Sequence, residues 1–227
     1  MLSSGRPGHV AALVVAYALL HSVLASRQAK DAARSVFGAR CRDGLYRFAF
    51  NVQAVLSFIA ACMAFFRLPD RTIYRVPAPW SWAMLTGQVA GVGLMLWTMW
   101  TMGMGRMTGF GPIWQLISGH MPTPEPEAQG PRHDPQGEMI VQGPFRFTRH
   151  PANWGPLVFV LLFPHMTVNR ATLAVFSVAY LLAGSVHEEY RLRRAYGAAY
   201  DRYRQRAPFL VGPCEQRPRR RGDARGD

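Results

Sequence analysis

Apolar segments of membrane-spanning length constrain the fold of this chain more than any other feature. Residues 9–26, 45–66 and 80–102 are each close to the roughly 20 apolar residues that a helix needs to cross a bilayer. Two shorter apolar stretches cover residues 152–163 and 171–187. A chain of 227 residues is long enough for one or two soluble domains, but these segments exclude that interpretation. We predict an all-α, multi-pass integral membrane protein with about five transmembrane helices.

Basic residues are concentrated in the connectors between these segments. The net charge is +13, and 21 of the 26 Lys and Arg residues lie in alternate connectors and in the C-terminal tail. Because basic connectors stay in the cytoplasm, the pattern predicts an N-terminus outside and a C-terminus in the cytoplasm. Topology, together with contact between Arg217–Arg225 and anionic lipid, explains the charge. We therefore expect a lipid bilayer as partner and no nucleic acid. The bias of 25 Arg to 1 Lys, together with the resemblance described below, favours a bacterial inner membrane.

Composition divides the chain into four regions. Residues 1–104 hold the first three helices, and residues 105–142 form a cytoplasmic loop or lid rich in Pro and Gly. Residues 143–212 form a C-terminal core, in which a helical hairpin is followed by a cytoplasmic helix, and residues 213–227 form a disordered basic tail. No small-residue cleavage site follows the first apolar segment, so we expect it to be retained as a helix.

Two finer expectations concern the N-terminal region. An arginine-rich amphipathic segment, Arg27–Arg42, is expected to lie as a short helix along the cytoplasmic interface, and the second transmembrane helix to begin near Gly44. The Gly87-x-x-x-Gly91 spacing is typical of a helix-packing face, within one chain or between chains.

The C-terminal hairpin joins two clusters of ionisable residues. Residues 151–164 are only 14 residues long, about 21 Å of helix against a hydrocarbon core of about 30 Å. A hairpin brings its two ends together, so Arg149-His150 and Glu188-Glu189 are expected to form one site. Ionisable groups at the edge of a membrane are costly to place there and are therefore functional candidates.

Two sequence blocks carry a family resemblance. Gly143-Pro-Phe-Arg-Phe-Thr-Arg-His-Pro151 resembles the G-P-[YF]-[RK]-[YF]-x-R-H-P signature of the isoprenylcysteine carboxyl methyltransferase family. Residues 188–208 are similar to its C-terminal pattern, from Glu188-Glu189 through Tyr196-Gly197, Tyr200 and Tyr203 to Ala207-Pro208. The N-terminal half, with His21-Ser22 and Tyr46-Arg47, resembles a subgroup of bacterial membrane proteins similar to methanethiol S-methyltransferase and NnrU-like proteins.

This resemblance implies a membrane enzyme that uses S-adenosylmethionine. The cofactor pocket would lie on the cytoplasmic side, and a lipophilic or small acceptor, most plausibly a thiol, would arrive from the bilayer. Residues 143–212 would then form a methyltransferase core. One departure is Asn153, which stands where the family commonly has a tyrosine.

The chemistry of the cofactor suggests a role for each candidate residue. Arg149 would bind the cofactor carboxylate as a bidentate fork, and Glu188 or Glu189 would accept from the ribose hydroxyls or the ammonium group. Aromatic faces would pack on the sulfonium cation, and His150 would bind the cofactor or accept the proton of a thiol. Methyl transfer needs neither a metal nor a covalent intermediate, so no metal ligand is expected. The expected catalytic residues are His150 and Arg149. The expected cofactor contacts are Arg149, His150, Pro151, Asn153, Trp154, Glu188, Glu189, Tyr200 and Tyr203.

Two other functions compete with this hypothesis. An NnrU-like haem protein, either an isomerase or a nitrogen-oxide-related accessory factor, would use His21 with His150 or His165 as axial ligands. The carboxylates and tyrosines of residues 188–208 argue against it, because a haem-ligating protein does not need them. The second alternative is a non-enzymatic scaffold or small transporter, for which the helices show no internal repeat. Without the motifs, Glu188 and Glu189 would be interpreted as part of a solvated, charged helix end.

Overall fold

A computed structural model describes residues 5–125, 128, 130–134, 136–209 and 211–212. The expected tail at 213–227 lies outside the described residues. The all-α prediction is confirmed: the described chain is mainly helical, with one two-stranded sheet. The helices are α1 Pro7–Ala25, α2 Arg27–Phe66, α3 Trp80–Met102, α4 Met104–Thr108, α5 Phe110–Ile117, α6 Pro151–Leu161 and α7 Val168–Arg206. A short 3-10 helix, Gly143–Arg146, precedes α6.

Helix α2 joins the interfacial segment to the second long apolar segment. Ser26 caps its start, since the Ser26 hydroxyl accepts from the Ala29 N–H at 3.2 Å. Gly38 interrupts the helix with φ of 81°, a left-handed conformation that favours glycine. The amphipathic helix expected over residues 27–42 is therefore present but ends at this kink. The next helix begins just after Gly38, a few residues before the expected Gly44, because the backbone resumes helical geometry as soon as the glycine has redirected it.

Helices α3 and α6 cross where two glycines meet. A Cβ atom on Gly91 would lie 2.8 Å from the carbonyl oxygen of Gly155, and one on Gly155 would lie 2.5 Å from the carbonyl oxygen of Gly91. A Cβ on Gly87 would collide with Leu162. The packing face expected from Gly87 and Gly91 is confirmed as a contact within one chain. It seats the short helix α6 against the longer α3.

A two-stranded antiparallel sheet ties two connectors together, a feature that the sequence analysis did not predict. Strand β1, Thr72–Arg75, follows α2, and strand β2, His165–Thr167, lies between α6 and α7. Asn169, which is 1% exposed, joins three segments beside this sheet. Its backbone N–H donates to Asp70, its side-chain amide donates to the Pro69 carbonyl, and its side-chain oxygen accepts from the Arg6 N–H.

Helix α7 is much longer than the expected segment, residues 171–187. It has 39 residues and continues past Glu188 and Glu189 to Arg206, with non-helical geometry at Gly197. The hairpin is therefore asymmetric, since α6 has only 11 residues. The expectation that α6 is too short to cross a bilayer is confirmed, because 11 residues make about 16 Å of helix. Helix α7 extends past the N-terminal end of α6, and Glu188 and Glu189 lie beside His150 at that end.

By length and composition, three of the described helices could cross a membrane: α1, α2 and α7. Helix α3 is also long, with 23 residues, and has no charged side chain. Its Trp, Thr, Gly and Gln residues give it a lower mean hydropathy than these three helices. The region expected to be a loop or lid contains the short helices α4 and α5. Its later part packs on α7: Ala128 and Met139 join a core formed with Leu192, Tyr200 and Tyr203.

Candidate functional site

The open end of the α6–α7 hairpin brings His150 between two glutamates. His150 precedes α6, and its side chain is 2% exposed. Its Nδ1 lies 3.2 Å from Oε2 of Glu188, and its Nε2 lies 3.3 Å from Oε1 of Glu189. Glu188 is the more open carboxylate, with 36% of its side chain exposed against 15% for Glu189. His150 is thus a buried imidazole with one carboxylate facing each of its ring nitrogens.

Arg149 is engaged by the protein itself. Its Nε donates to Oε1 of Glu189 at 2.6 Å, and its Nη1 donates to the carbonyls of Arg204 and Ala207 at 3.1 and 2.8 Å. These carbonyls lie at the C-terminal end of α7, where backbone acceptors lack helical partners. The guanidinium therefore closes the end of α7 and orients Glu189. This geometry favours a positioning role for Arg149 over a fork that binds a ligand carboxylate.

Thr148 organises the approach to His150. Its hydroxyl accepts from the His150 N–H and from Nε1 of Trp154, each at 3.2 Å, and donates to the Phe209 carbonyl at 3.1 Å. Thr148 is 2% exposed, so these bonds are protected from water. One hydroxyl thus connects the turn before α6, the first turn of α6 and the segment after α7.

Asn153 is used within the hairpin. Its side-chain amide donates to the Ser185 hydroxyl at 2.8 Å, and this hydroxyl donates to the Leu181 carbonyl. Ser185 lies one turn before Glu188 and Glu189 on the same face of α7. The bond therefore sets the separation of α6 and α7 just before the site. A tyrosine at 153 could accept or donate through its hydroxyl but would place that group farther from α6.

Tyr200 and Tyr203 have different surroundings although both are buried. The Tyr203 hydroxyl donates to the carbonyls of Phe145 and Thr148, at 3.1 and 3.4 Å, and so holds the 3-10 helix against α7. The Tyr200 side chain is fully buried, and its hydroxyl has no hydrogen-bond partner among the described residues. Buried hydroxyls without a partner are rare in folded proteins, and a hydrogen bond to a ligand would satisfy this one.

The segment after α7 closes the site. Arg149 N–H donates to the Pro208 carbonyl at 3.0 Å, and Gly212 N–H donates to the Phe147 carbonyl at 2.9 Å. The Phe209 ring packs edge-on against the His150 ring, with 5.0 Å between centroids. The cavity left beside His150 has a volume of about 20 Å³, enough for about one water molecule. A ligand larger than one water therefore fits in this cavity only if one of its lining side chains, such as Leu157 or Phe209, moves.

The lid contacts α7 close to the site. Tyr196 donates to the Ala128 carbonyl at 3.1 Å, and its ring lies 4.1 Å from that of His133 between centroids. Burial lowers the pKa of His133, Arg106 acts in the same direction, and Asp134 opposes them. The His133 ring therefore takes part in the contact between the lid and α7.

The candidate residues are thus brought together in part. His150, Glu188 and Glu189 meet directly, Arg149 and Asn153 support them, and Pro151 is buried as the first residue of α6. Trp154 contacts Thr148, and Tyr203 faces the 3-10 helix. Thr148, Ser185 and Phe209 also belong to the site, but they were not among the residues predicted from the sequence. Thr148 occupies an unspecified position inside the first motif, and Ser185 is one turn before Glu188-Glu189, so only these two carried a local signal.

The histidines required by the haem hypothesis already have protein contacts. Both ring nitrogens of His150 face glutamates, and Nε2 of His165 lies 2.9 Å from the Thr72 hydroxyl. His21 packs between Tyr17 and Phe50, and its Nδ1 is buried without a hydrogen-bond partner among the described residues. Ligation of an iron by His150 or His165 would break one of these contacts.

Comparison with known proteins finds distant relatives among methyltransferases. The chain is 36% identical to methanethiol S-methyltransferase 2 of Bradyrhizobium diazoefficiens over 67 residues, which are 30% of this chain and 26% of that protein. It is 25% identical to methanethiol S-methyltransferase of Pseudomonas deceptionensis over 207 residues, which are 91% of this chain and 72% of that protein. The first match therefore spans about a quarter of the relative's length. No protein-family model matches the chain, and no solved structure matches it.

Proposed function

We propose that the chain is an integral membrane methyltransferase that uses S-adenosylmethionine and acts on a small or lipophilic thiol. The observation that carries this proposal is the buried His150, placed between Glu188 and Glu189 at the open end of the hairpin. The names of the two distant relatives support a methyltransferase acting on a thiol. The isoprenylcysteine carboxyl methyltransferase resemblance supports it through the two motifs alone.

The polar groups of the site suit the polar parts of the cofactor. Glu188 has the exposure to accept hydrogen bonds from a ribose diol or an ammonium group, and the buried Tyr200 hydroxyl supplies a polar atom that still needs a partner. When bound, S-adenosylmethionine supplies a methyl group on a sulfonium sulfur, which is already an activated leaving group. Arg149 holds Glu189 in place, and Trp154 offers an aromatic face beside Thr148.

His150 is assigned the proton transfer. A thiol has a pKa of about 8.5, so its reactive thiolate is a minor species near neutral pH. The imidazole accepts the thiol proton at Nδ1, which becomes accessible when the more exposed Glu188 turns from it to bind the cofactor, and Glu189 stabilises the resulting positive charge. With S-adenosylmethionine bound, the thiolate sulfur would take the methyl group, and the electrons of the broken S–CH₃ bond would stay on the former sulfonium sulfur. Both products are neutral at sulfur, so no further reactant is needed.

A membrane location suits this chemistry. Helices α1, α2 and α7 have the length and composition to cross a bilayer. His150 precedes α6, whose 11 residues make about 16 Å of helix against a hydrocarbon core of about 30 Å. A bilayer that is thinned around the hairpin would bring the site within reach of an apolar acceptor. We extend the proposal to a bacterial inner membrane with the site and C-terminus on the cytoplasmic side, as the distribution of basic residues indicates.

Titration of the detergent-purified chain with S-adenosylhomocysteine tests the cofactor assignment. Glu188→Gln removes a charge that faces His150, and we expect it to weaken binding by about tenfold or more. Glu138→Gln is the matched control. Glu138 is an exposed carboxylate in the segment before α6, and its partner Arg202 lies on α7, the helix that carries Glu188. Absence of binding to the folded wild-type chain, or equal losses in both variants, would contradict the proposal.

Turnover with ethanethiol tests the role of His150 separately. His150→Gln keeps a hydrogen-bonding side chain but cannot accept the proton, so we expect the kcat to fall by about 100-fold or more. A general base has a second signature: the loss should shrink as the pH rises toward the pKa of the thiol. A loss that is equal at all pH values would indicate that His150 only positions other groups.

A further inference from the structure

The short helix α5, in the first part of the lid, presents large apolar side chains to the outside. Phe110, Trp114 and Ile117 are spaced by four and three residues, which places them on one face of the helix. These three residues and Met121, in the turn that follows, are 62% to 75% exposed. We call the four residues the apolar anchor. Helix α5 has no charged side chain, and apolar surface of this kind is unfavourable in water.

The opposite face of α5 is fixed to α2 by close contacts. Gly44 of α2 is buried, and a Cβ atom there would collide with the Leu116 side chain. A Cβ atom on Gly109, which precedes α5, would lie 2.6 Å from the backbone nitrogen of Phe48. The Asn51 side chain donates to two carbonyls of α4, at 2.8 and 2.9 Å. These contacts determine which face of α5 is turned outward.

The turn after α5 is held by its own hydrogen bonds. The side-chain oxygen of Gln115 accepts from the Thr123 N–H at 2.9 Å, and its amide donates to the Thr123 hydroxyl at 3.1 Å. The His120 N–H donates to the Gln115 carbonyl at 2.9 Å. Ile117 and Met121 therefore lie within one closed reversal of the chain, and both keep their side chains outward.

The place of α5 along α2 corresponds to the edge of a bilayer. Its contacts with Gly44 and Phe48 fall at the start of the long apolar part of α2, directly after the arginine-rich segment Arg27–Arg42. The Phe110 ring packs on the Phe48 ring, with 5.4 Å between centroids. An apolar groove that begins at Phe48 continues along α2 to Ser57. Because α2 could cross a membrane, the apolar anchor continues a surface that would face lipid.

We infer that the apolar anchor inserts into the interfacial region of the bilayer and holds the start of the lid at the membrane. Helix α5 has 8 residues, about 12 Å of helix, so it lies along the interface and does not cross. Trp114 suits this depth, since tryptophan is enriched at membrane interfaces. The lid is then attached twice, to lipid through α5 and to α2 through the ion pairs of Glu125 with Lys30 and Arg47. The inference does not depend on the chemistry at His150.

Nitroxide accessibility in the full chain tests this insertion. Ile117→Cys carries the label in a chain whose native cysteines are replaced, reconstituted in phosphatidylcholine vesicles. Ile117 is the most exposed residue of the apolar anchor, so the label should leave the fold intact. The control is Arg194→Cys, at an exposed position in the polar half of α7. We expect the ratio of collisions with oxygen to collisions with a water-soluble nickel chelate to be several-fold higher at position 117, because oxygen concentrates in lipid.

Tryptophan emission provides a second measurement on a chain that keeps its cysteines. The difference between wild type and Trp114→Phe isolates the emission of Trp114, and phenylalanine keeps the apolar anchor apolar. We expect this component to be quenched by brominated phosphatidylcholine in the vesicle and to be shielded from iodide in the water.

Either of two results would overturn the inference. Equal collision ratios at positions 117 and 194, or quenching of Trp114 by iodide and not by brominated lipid, would mean that the apolar anchor faces water. Shielding of the label at position 117 from both oxygen and the chelate would mean that protein covers the anchor. Spin–spin broadening of the nitroxide spectrum would then identify a second copy of this chain as the cover.

Discussion

Tyr200 and Tyr203 show how much one hydroxyl depends on its surroundings. They are three residues apart on α7 and both are buried, yet the Tyr203 hydroxyl bonds two carbonyls and the Tyr200 hydroxyl has no partner among the described residues. The first is part of the folded structure, because it holds the 3-10 helix that leads to His150. The second is a polar atom that the fold has buried without a bond.

We expect the two Tyr→Phe substitutions to separate stability from ligand binding. Tyr203→Phe should lower the free energy of unfolding by about 1 kcal/mol, because two carbonyls lose their donor. Tyr200→Phe should leave the free energy of unfolding within about 0.5 kcal/mol of wild type and weaken S-adenosylhomocysteine binding. Thermal unfolding in detergent and titration calorimetry measure the two effects. Unchanged binding in Tyr200→Phe would remove this hydroxyl from the proposed site.

Arg149 illustrates the same point for a charged residue. Its place in the motif suggested a ligand for the cofactor carboxylate, but its donors are directed to Glu189 and to the end of α7. The type of residue and its position in the sequence were informative about where the site lies. They did not reveal which acceptors the guanidinium meets.

At the scale of elements, the crossing of α3 and α6 determines where the hairpin sits. The backbones approach so closely at Gly91 and Gly155 that a Cβ on either would collide with the other helix. Helix α6 is too short to be held by a long interface, so this close contact is what positions its N-terminal end. His150 immediately precedes that end.

Substitution of glycines on α3 tests this packing. Gly91→Ala should lower the free energy of unfolding by about 1–3 kcal/mol and reduce turnover, because α6 must shift. Gly93→Ala is the matched control on the same helix, since a Cβ there would meet nothing within 4 Å. We expect Gly93→Ala to be neutral or slightly stabilising, as measured by thermal unfolding in detergent. Equal behaviour of the two variants would mean that the crossing tolerates a wider separation.

At the scale of the whole molecule, the distribution of charge makes a topology prediction. Of the 26 Lys and Arg residues, 21 lie on one side of the predicted arrangement, so the side that carries the His150 site should face the cytoplasm. The sheet formed by β1 and β2 should then face the outside. This follows from insertion energetics and is independent of the chemistry at the site.

Single cysteines in a background without native cysteines test the orientation. We expect Arg75→Cys, in β1, to react with a membrane-impermeant maleimide in intact spheroplasts. Arg194→Cys, on the C-terminal part of α7, should react only after permeabilisation. Both positions are exposed in the structure, so differences in labelling report the side of the membrane. The reverse pattern would place the candidate site outside and would contradict the assignment of a cytoplasmic cofactor pocket.

Local features of the sequence determined the helical class, the approximate positions of the helices and the pairing of two distant clusters. Hydrophobic length and the placement of Gly and Pro act over a few turns of helix, so they can be interpreted without a fold. The meeting of Arg149-His150 with Glu188-Glu189 also followed, because a hairpin has two ends that lie side by side. The exact extent of α7 did not follow, since the sequence does not show that its polar half packs through Leu192, Tyr200 and Tyr203 on Ala128 and Met139.

Tertiary structure alone decided which groups complete the site. The Thr148–Phe209 bond joins residues 61 positions apart, and the Lys30–Glu125 pair joins residues 95 apart. The pairing of β1 with β2 likewise depends on how α2 and α7 are placed. The sequence therefore determined the helices and the presence of an ionisable cluster at one hairpin end. The partners of Arg149, the contact of Phe209 with His150 and the ion pairs of Glu125 come from contacts between distant segments, whose geometry is set only when the helices pack.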